Sequence, residues 1–274
     1  MRKRSGVLAL GAVAACLLSQ AEARAQGGIE RGKQVIQEAI SALGGERFLN
    51  MQNRVETGRA YSFYREEVSG LAVASIYTKY VPVSDTSSPG SLAVRERQSF
   101  LRNNKELSAV LFTDTAAYTI TFRGARPLPD DSLERYRSSV FTNIFYILRI
   151  RLNEPGLLFE SKGSDVWMNQ PVNIVDITDS QNRVVTVYFH QSTKFPVRQV
   201  HYRRDAKTRR RIEEITEYSK YREAGRGVSW PWTVQRYRDG QKVFEMYSES
   251  VAIDSGLSDS LFMLPADIKI LKKL

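Results

Sequence analysis

From Asn182 to Ile253 the chain keeps returning to short β-branched and aromatic runs separated by polar turns, about 12 residues per unit. Val184, Val185, Val187, Tyr188 and Phe189 make one run, and Val197, Val200 and Tyr202 the next. Trp230, Trp232, Val234 and Tyr237 lead to Asp239-Gly240, and Val243, Phe244, Met246, Tyr247 and Val251 follow. An Asp-Gly pair between two such runs is a strong hairpin signal, because a type I′ turn needs positive φ at both central residues. Strands this close in sequence pair antiparallel, since a parallel crossover needs a dozen or more connecting residues. The second half of the chain therefore reads as a β-meander.

The first half extends it. Strand patterns cover 58–65, 70–80, 92–101, 107–112 and 116–122, with turns expected at Ser69-Gly70, Asn103-Asn104 and Thr113-Asp114. Residues 82–90 form a Ser/Pro/Asp loop, and the two prolines of 123–129 are expected to end this strand series. Two helices flank it. Val35, Ile36, Ala39, Ile40 and Leu43 share one helical face before Gly44-Gly45 stops the turn, and 46–50 adds a short one. Leu133, Tyr136, Val140, Ile144, Ile147 and Leu148 recur at three and four, which predicts a helix over 130–152 opened by Asp130-Asp131-Ser132. Phe141 and Phe145 make its apolar stripe wide enough for burial against a sheet. After it the meander resumes near Asp165. The 212–221 segment spaces Ile212, Ile215, Tyr218 and Tyr221 by three, yet it lies among strands and is read as a strand with a bulge.

Met1-Arg2-Lys3-Arg4, the apolar run from Gly6 to Leu18 and the Ala23-Arg24-Ala25 site have the three parts of a secretory signal peptide. The run is shorter than the roughly 20 residues that span a bilayer. Cleavage after Ala25 makes residues 1–25 the leader and 26–274 the mature domain. Val13-Ala14-Ala15-Cys16 also matches a lipobox, although Leu17-Leu18 continue the apolar run; processing there would leave Cys16 as a lipid anchor. Cys16 is the only cysteine, so cleavage after Ala25 leaves neither disulfide nor thiol chemistry. Losing Arg2, Lys3, Arg4, Arg24 and Glu22 takes the formal charge from +10 to +7. For an exported basic protein, anionic lipid and envelope polymers are expected partners and nucleic acid is not.

The order of elements, with Ala42-Leu43-Gly44-Gly45, Phe195-Pro196-Val197, Tyr218 to Tyr221 before Gly225-x-Gly227, Trp230-Pro231, Asp239-Gly240 and Leu261-Phe262-Met263-Leu264-Pro265, resembles the lipoprotein-carrier superfamily, the LolA/LolB-like proteins that include outer-membrane lipoprotein-sorting proteins. The likeness covers most of the mature chain and rests on turns and strand starts. It implies a mainly β (α+β) fold: one curved antiparallel half-barrel sheet with helices covering its concave face. It also implies periplasmic binding of a lipid or lipoprotein acyl chain. The chain is longer than a minimal carrier, the 82–90 loop has no counterpart, and no carrier residue is transferred.

Chemistry-bearing motifs are sparse. His190 and His201 lack the further ligands a zinc site needs. No nucleophile elbow, zincin or P-loop motif occurs, and Glu66-Glu67 and Glu213-Glu214, as strand neighbours, would point to opposite faces. No catalytic residue, metal or cofactor is expected. Tyr61, Phe63, Phe141, Phe145, Trp167, Trp230 and Trp232 are either plain core or the lining of an acyl cavity. Arg198, Arg203, Arg204, Lys207, Arg209, Arg210 and Arg211 cluster at one hairpin. They either solvate a turn or dock an anionic surface, with Arg203, Arg204, Lys207, Arg209, Arg210 and Arg211 as the docking set. The expected function is a non-enzymatic, monomeric envelope carrier. The alternatives are an interaction or sensor module on a filled version of the fold, and an envelope hydrolase.

Overall fold

The computed structural model describes residues 26–82, 92–103, 105–113, 115–205 and 208–273; the expected leader with Cys16, most of the 82–90 loop, Asn104, Asp114 and Lys207 lie outside them. The strand-forming runs build one antiparallel sheet of 13 strands. The strands of the first half are β1 (Asn53–Tyr64), β2 (Glu67–Tyr80), β3 (Val94–Arg102), β4 (Lys105–Phe112), β5 (Ala117–Thr121) and β6 (Gly124–Pro127). Those of the second half are β7 (Leu158–Trp167), β8 (Gln170–Thr178), β9 (Val184–His190), β10 (Pro196–Arg204), β11 (Arg211–Glu223), β12 (Ser229–Arg238) and β13 (Gln241–Ile253). Spatial order is β6-β5-β4-β3-β2-β1-β13-β12-β11-β10-β9-β8-β7. The chain thus starts in the middle of the sheet and walks out to one edge. It then crosses to the far edge and walks back until β13 pairs with β1. The two edges do not meet, so the sheet is curved and mainly β without closing into a barrel, as expected.

Several local details differ from the sequence reading. The β1–β2 turn is at Arg65-Glu66, both with positive φ (51° and 66°), and Gly70 sits inside β2 opposite Ser62. Cross-strand register outweighs the local Ser-Gly turn signal here. Residues 124–127 do pair, as the short edge strand β6, whose outer side receives the tail through an Ala125–Ile270 bridge. Strand β7 starts at Leu158, ahead of Asp165. Strand β11 keeps one register with β12 throughout, with no bulge, and only Lys220 turns left-handed (φ 55°). Asp239 and Gly240 (φ 48° and 79°) form the expected I′ turn.

Helix α1 (26–43) and the short α2 (Glu46–Asn50) lie on the same face of the sheet as the crossover. Ile36, Ala39, Ile40 and Leu43 of α1 enter one core with Phe159, Ile177, Val187 and Phe189. A Cβ at Gly32 would stand 2.2 Å from the Phe159 carbonyl oxygen, so α1 rests directly on the β7 backbone.

The crossover is two pieces in place of one helix over 130–152. Helix α3 (Asp130–Phe141) follows Pro129 without a side-chain cap; α4 (Ile144–Tyr146) runs into a π-helical turn, Ile147–Arg151. The break has a local cause. Thr142 Oγ1 donates back to Ser138 O (2.9 Å), and extended Asn143 caps α4 by accepting from Phe145 N (3.0 Å) and Tyr146 N (3.3 Å). Buried Gln199 of β10 clamps the break to the sheet. It accepts from Ile144 N (2.9 Å) and Tyr218 Oη (2.8 Å), and donates to Thr142 O (3.2 Å). At the far end, buried Arg151 donates to Glu154 (2.6 and 2.9 Å), Asp179 (3.1 Å) and Phe141 O (2.8 Å).

Gln199→Leu keeps the volume and removes every partner of this clamp. Leaving Ile144 N–H and Thr142 C=O unpaired in the core should lower the unfolding free energy by about 2–4 kcal/mol in urea titration.

Candidate functional site

Side chains two apart in a strand share a face. On β1 and β2 the helix-covered face carries Ala60, Ser62, Gly70, Ala72 and Ala74, a run too small to reach the helices above. The space left is a hollow of about 510 Å³ under α3 and α4. Its walls are Phe100, Val234, Phe244 and Met246, and Tyr136, Ser139, Val140 and Asn143 form its roof. Buried Tyr80, Val94, Tyr146 and Trp230 close the inner end, whereas Ser62 and Arg236 are exposed at the other. The hollow therefore opens toward the end of the sheet that carries the β1–β2 and β12–β13 turns.

The lining is amphipathic. Arg54 stacks on the Trp230 ring (4.1 Å), donates to Thr78 Oγ1 (3.2 Å) and pairs with Glu56 (3.4 Å), which accepts from Ser248 (2.7 Å). Glu96 accepts from Gln98 (2.6 Å), but burial outweighs that bond and the nearby guanidinium of Arg54 and raises its carboxyl pKa. Tyr136 stacks on Phe112 (3.7 Å between ring centres), and burial pushes its phenol well up. Its hydroxyl and Arg54 Nε are buried without a hydrogen-bond partner.

Of the aromatic residues singled out from sequence, Phe145 and Trp230 line the hollow, their rings 4.4 Å apart. Tyr61 and Phe63 alternate onto the opposite face, where Tyr61 meets Tyr247 edge-on and Lys242 sits over Phe63. Phe141 lies beneath the Arg151 and Arg183 guanidinium groups (3.7 and 4.7 Å). Trp167 ends the edge strand β7. Trp232 carries Arg222 on its ring (4.8 Å) and packs against the core. The sequence reading missed the small residues that make the space. The signal was present in the alternation of Ala60, Ser62, Gly70, Ala72 and Ala74, but large residues attract attention and gaps do not.

The basic cluster divides. Arg203 turns inward to Glu214 (2.6 Å), which also meets His201 (3.5 Å) and Arg238 (3.6 Å). This network lines a second hollow of about 410 Å³ on the other flank of α3. Burial alone would raise the Glu214 carboxyl. Bonds to His201 and Arg203 outweigh it and hold the carboxyl at about 2. Arg210 reaches Asp239 of the next turn (2.6 Å), Arg211 lies over Tyr202 (3.6 Å), and Arg204 and Arg209 bound the turn. His190 caps its own turn by accepting from Ser192 N and Thr193 N (3.1 Å each). Among the described residues, no three His, Cys, Asp or Glu side chains group as metal ligands, and no helix is long and apolar enough to cross a membrane.

The sequence matches no family model and no curated protein. Similar folds do occur among solved structures. A DUF1329 family protein from Desulfovibrio piger superposes with a TM-score of 0.58 at 12% identity, over 86% of this chain and 97% of that one. A domain from Vibrio parahaemolyticus, named as a candidate outer membrane lipoprotein-sorting protein, gives 0.54 at 11% identity over 85% and 97%. A LolA superfamily protein from Nitrosomonas europaea gives 0.47 at 10% identity over 82% and 97%. The chain therefore shares its fold with the first two of these proteins.

A carboxyl held at about 2 contributes stability above its ordinary value of 4.5, and that contribution is lost as pH falls through 2. Unfolding free energy of the wild type should therefore drop between pH 5 and 2 by on the order of 1–2 kcal/mol from this group, solvent screening of the partly exposed network included. The corresponding slope in Glu214→Gln should be shallower by that amount in urea titrations.

Proposed function

We propose that this protein is an exported, non-enzymatic carrier that holds an acyl chain of a lipid or lipoprotein in the hollow beneath α3. The observation that carries this reading is the hollow itself: about 510 Å³, in the range of small-molecule sites, with a floor of small residues, apolar walls and one open end. Each buried methylene contributes roughly 0.8 kcal/mol, so a chain can be held tightly with no reacting group. The polar band of Arg54, Glu56 and Glu96 suits a ligand whose chain ends in a hydrogen-bonding group. The name of the Vibrio parahaemolyticus domain points toward lipoprotein sorting, and a leader ending at Ala25 would deliver residues 26–274 to the envelope.

Ala72 faces Ala60 across the β1–β2 pair on the floor of the hollow. Ala72→Trp should fill the space and weaken binding of a dansyl-labelled fatty acid at least about tenfold, a loss of some 1.4 kcal/mol. Stability should change less than it would for a buried core substitution. Native mass spectrometry of protein purified from its own envelope should show bound lipid in the wild type and not in Ala72→Trp. A wild type that binds neither probe nor lipid would refute the carrier in favour of an interaction module.

A further inference from the structure

In an antiparallel meander, successive hairpin turns alternate between the two ends of the sheet. The turns β1–β2, β3–β4, β5–β6, β8–β9, β10–β11 and β12–β13 consequently share one end, the end onto which the hollow opens. Three of these turns repeat one chemical unit. Tyr64 is 65% exposed with Arg65 over its ring (5.3 Å). Phe122 is 88% exposed with Arg123 over its ring (5.3 Å). Tyr202 is 48% exposed beneath Arg211. Val68 and Leu107 add exposed aliphatic groups, and Arg102 and Lys105 flank the β3–β4 turn with exposed charge. The opposite end exposes Val166 and Met168 at the β7–β8 turn, and several of its cations are engaged in ion pairs. There Lys194 pairs with Glu38 (2.8 Å), Arg226 with Asp254 (3.5 Å) and Lys79 with Asp259 (2.8 Å).

We propose that this rim of turns docks on an anionic lipid bilayer and sets the mouth of the hollow against the membrane. The occupant follows from the pairing of residue types. An aromatic ring with a cation beside it suits the headgroup layer, where the ring enters the acyl boundary and the cation meets lipid phosphate. A protein partner would call for a contiguous buried patch with paired hydrogen bonds; separate turn tips, each with its own ring and charge, suit a fluid surface. The proposal rests on the carrier reading for its purpose, since a mouth held at the bilayer lets a chain pass without crossing water. The docking itself stands on the rim alone. It enlarges the expected basic hairpin into a whole end of the sheet and moves the weight from Arg203 and Arg210, both engaged in ion pairs, to Arg211 and to residues on other turns.

Co-sedimentation of residues 26–274 with phosphatidylglycerol–phosphatidylethanolamine vesicles tests this, with phosphatidylcholine vesicles as the neutral control. Binding to the anionic vesicles should be clear at low salt, weak on the neutral ones, and lost as salt shortens the screening length. The triple variant Arg65→Ser, Arg123→Ser, Arg211→Ser should bind roughly a hundredfold more weakly. The double variant Tyr64→Ser, Phe122→Ser should also bind more weakly, with less change in salt dependence. Both alter exposed turn residues and should keep the wild-type circular dichroism and dansyl–fatty acid affinity. Wild-type affinity of both variants for the anionic vesicles, or a wild type that binds neither vesicle, overturns the docking while leaving the hollow to be judged by the fatty-acid probe. Loss of the probe in Ala72→Trp with vesicle binding intact separates the two sites.

Discussion

Everything on the helix-covered face depends on one topological demand. The chain leaves the sheet at the edge strand β6 and re-enters at the opposite edge, β7. The connection has to travel across the face of the sheet, and its backbone must satisfy its own polar groups while doing so. Two helical pieces meet that demand almost everywhere. The break between them is where backbone groups are left over, and there the sheet supplies Gln199 and the chain supplies Asn143. The position of the roof over the floor, and so the presence of a hollow, follows from where this clamp holds the break.

The hollow is the remainder after that packing. Under α1 the sheet presents Phe159, Ile177, Val187 and Phe189, and the space is filled. Under α3 it presents Ala60, Ala72 and Ala74, and the space stays open. Different floors thus accompany a solid core at one side and a cavity at the other. The polar band at its inner end is costly to bury. Arg54 and Glu56 offset each other, whereas burial raises the Glu96 carboxyl pKa. In the proposed carrier, a ligand's polar end would meet the Tyr136 hydroxyl, which is buried without a hydrogen-bond partner.

Much of the architecture was legible in the residues. Alternating β-branched runs and the Asp239-Gly240 turn specify hairpins, and a meander of hairpins needs no long-range information. The apolar stripe from Leu133 to Leu148 correctly signals a buried helical connection. Its break was not legible, because Thr142 and Asn143 are tolerable in a helix until Gln199, distant in sequence, offers their backbone a better partner. The turn at Arg65-Glu66 was missed for a similar reason. Its residues carry no turn signal, and the register of β1 with β2 imposes positive φ on them.

By itself the sequence determined the hairpins, the sheet they make and the need for a helical crossing, since each follows from side-chain periodicity and short connections. Only the tertiary structure decided which aromatic residues face the hollow. Tyr61 and Phe63 are as apolar in sequence as Phe145 and Trp230, but strand alternation and the placement of α4 put them on opposite sides of the sheet. It also decided that turns far apart in the chain share one end, because that depends on strand order, and strand order is set when β13 closes beside β1.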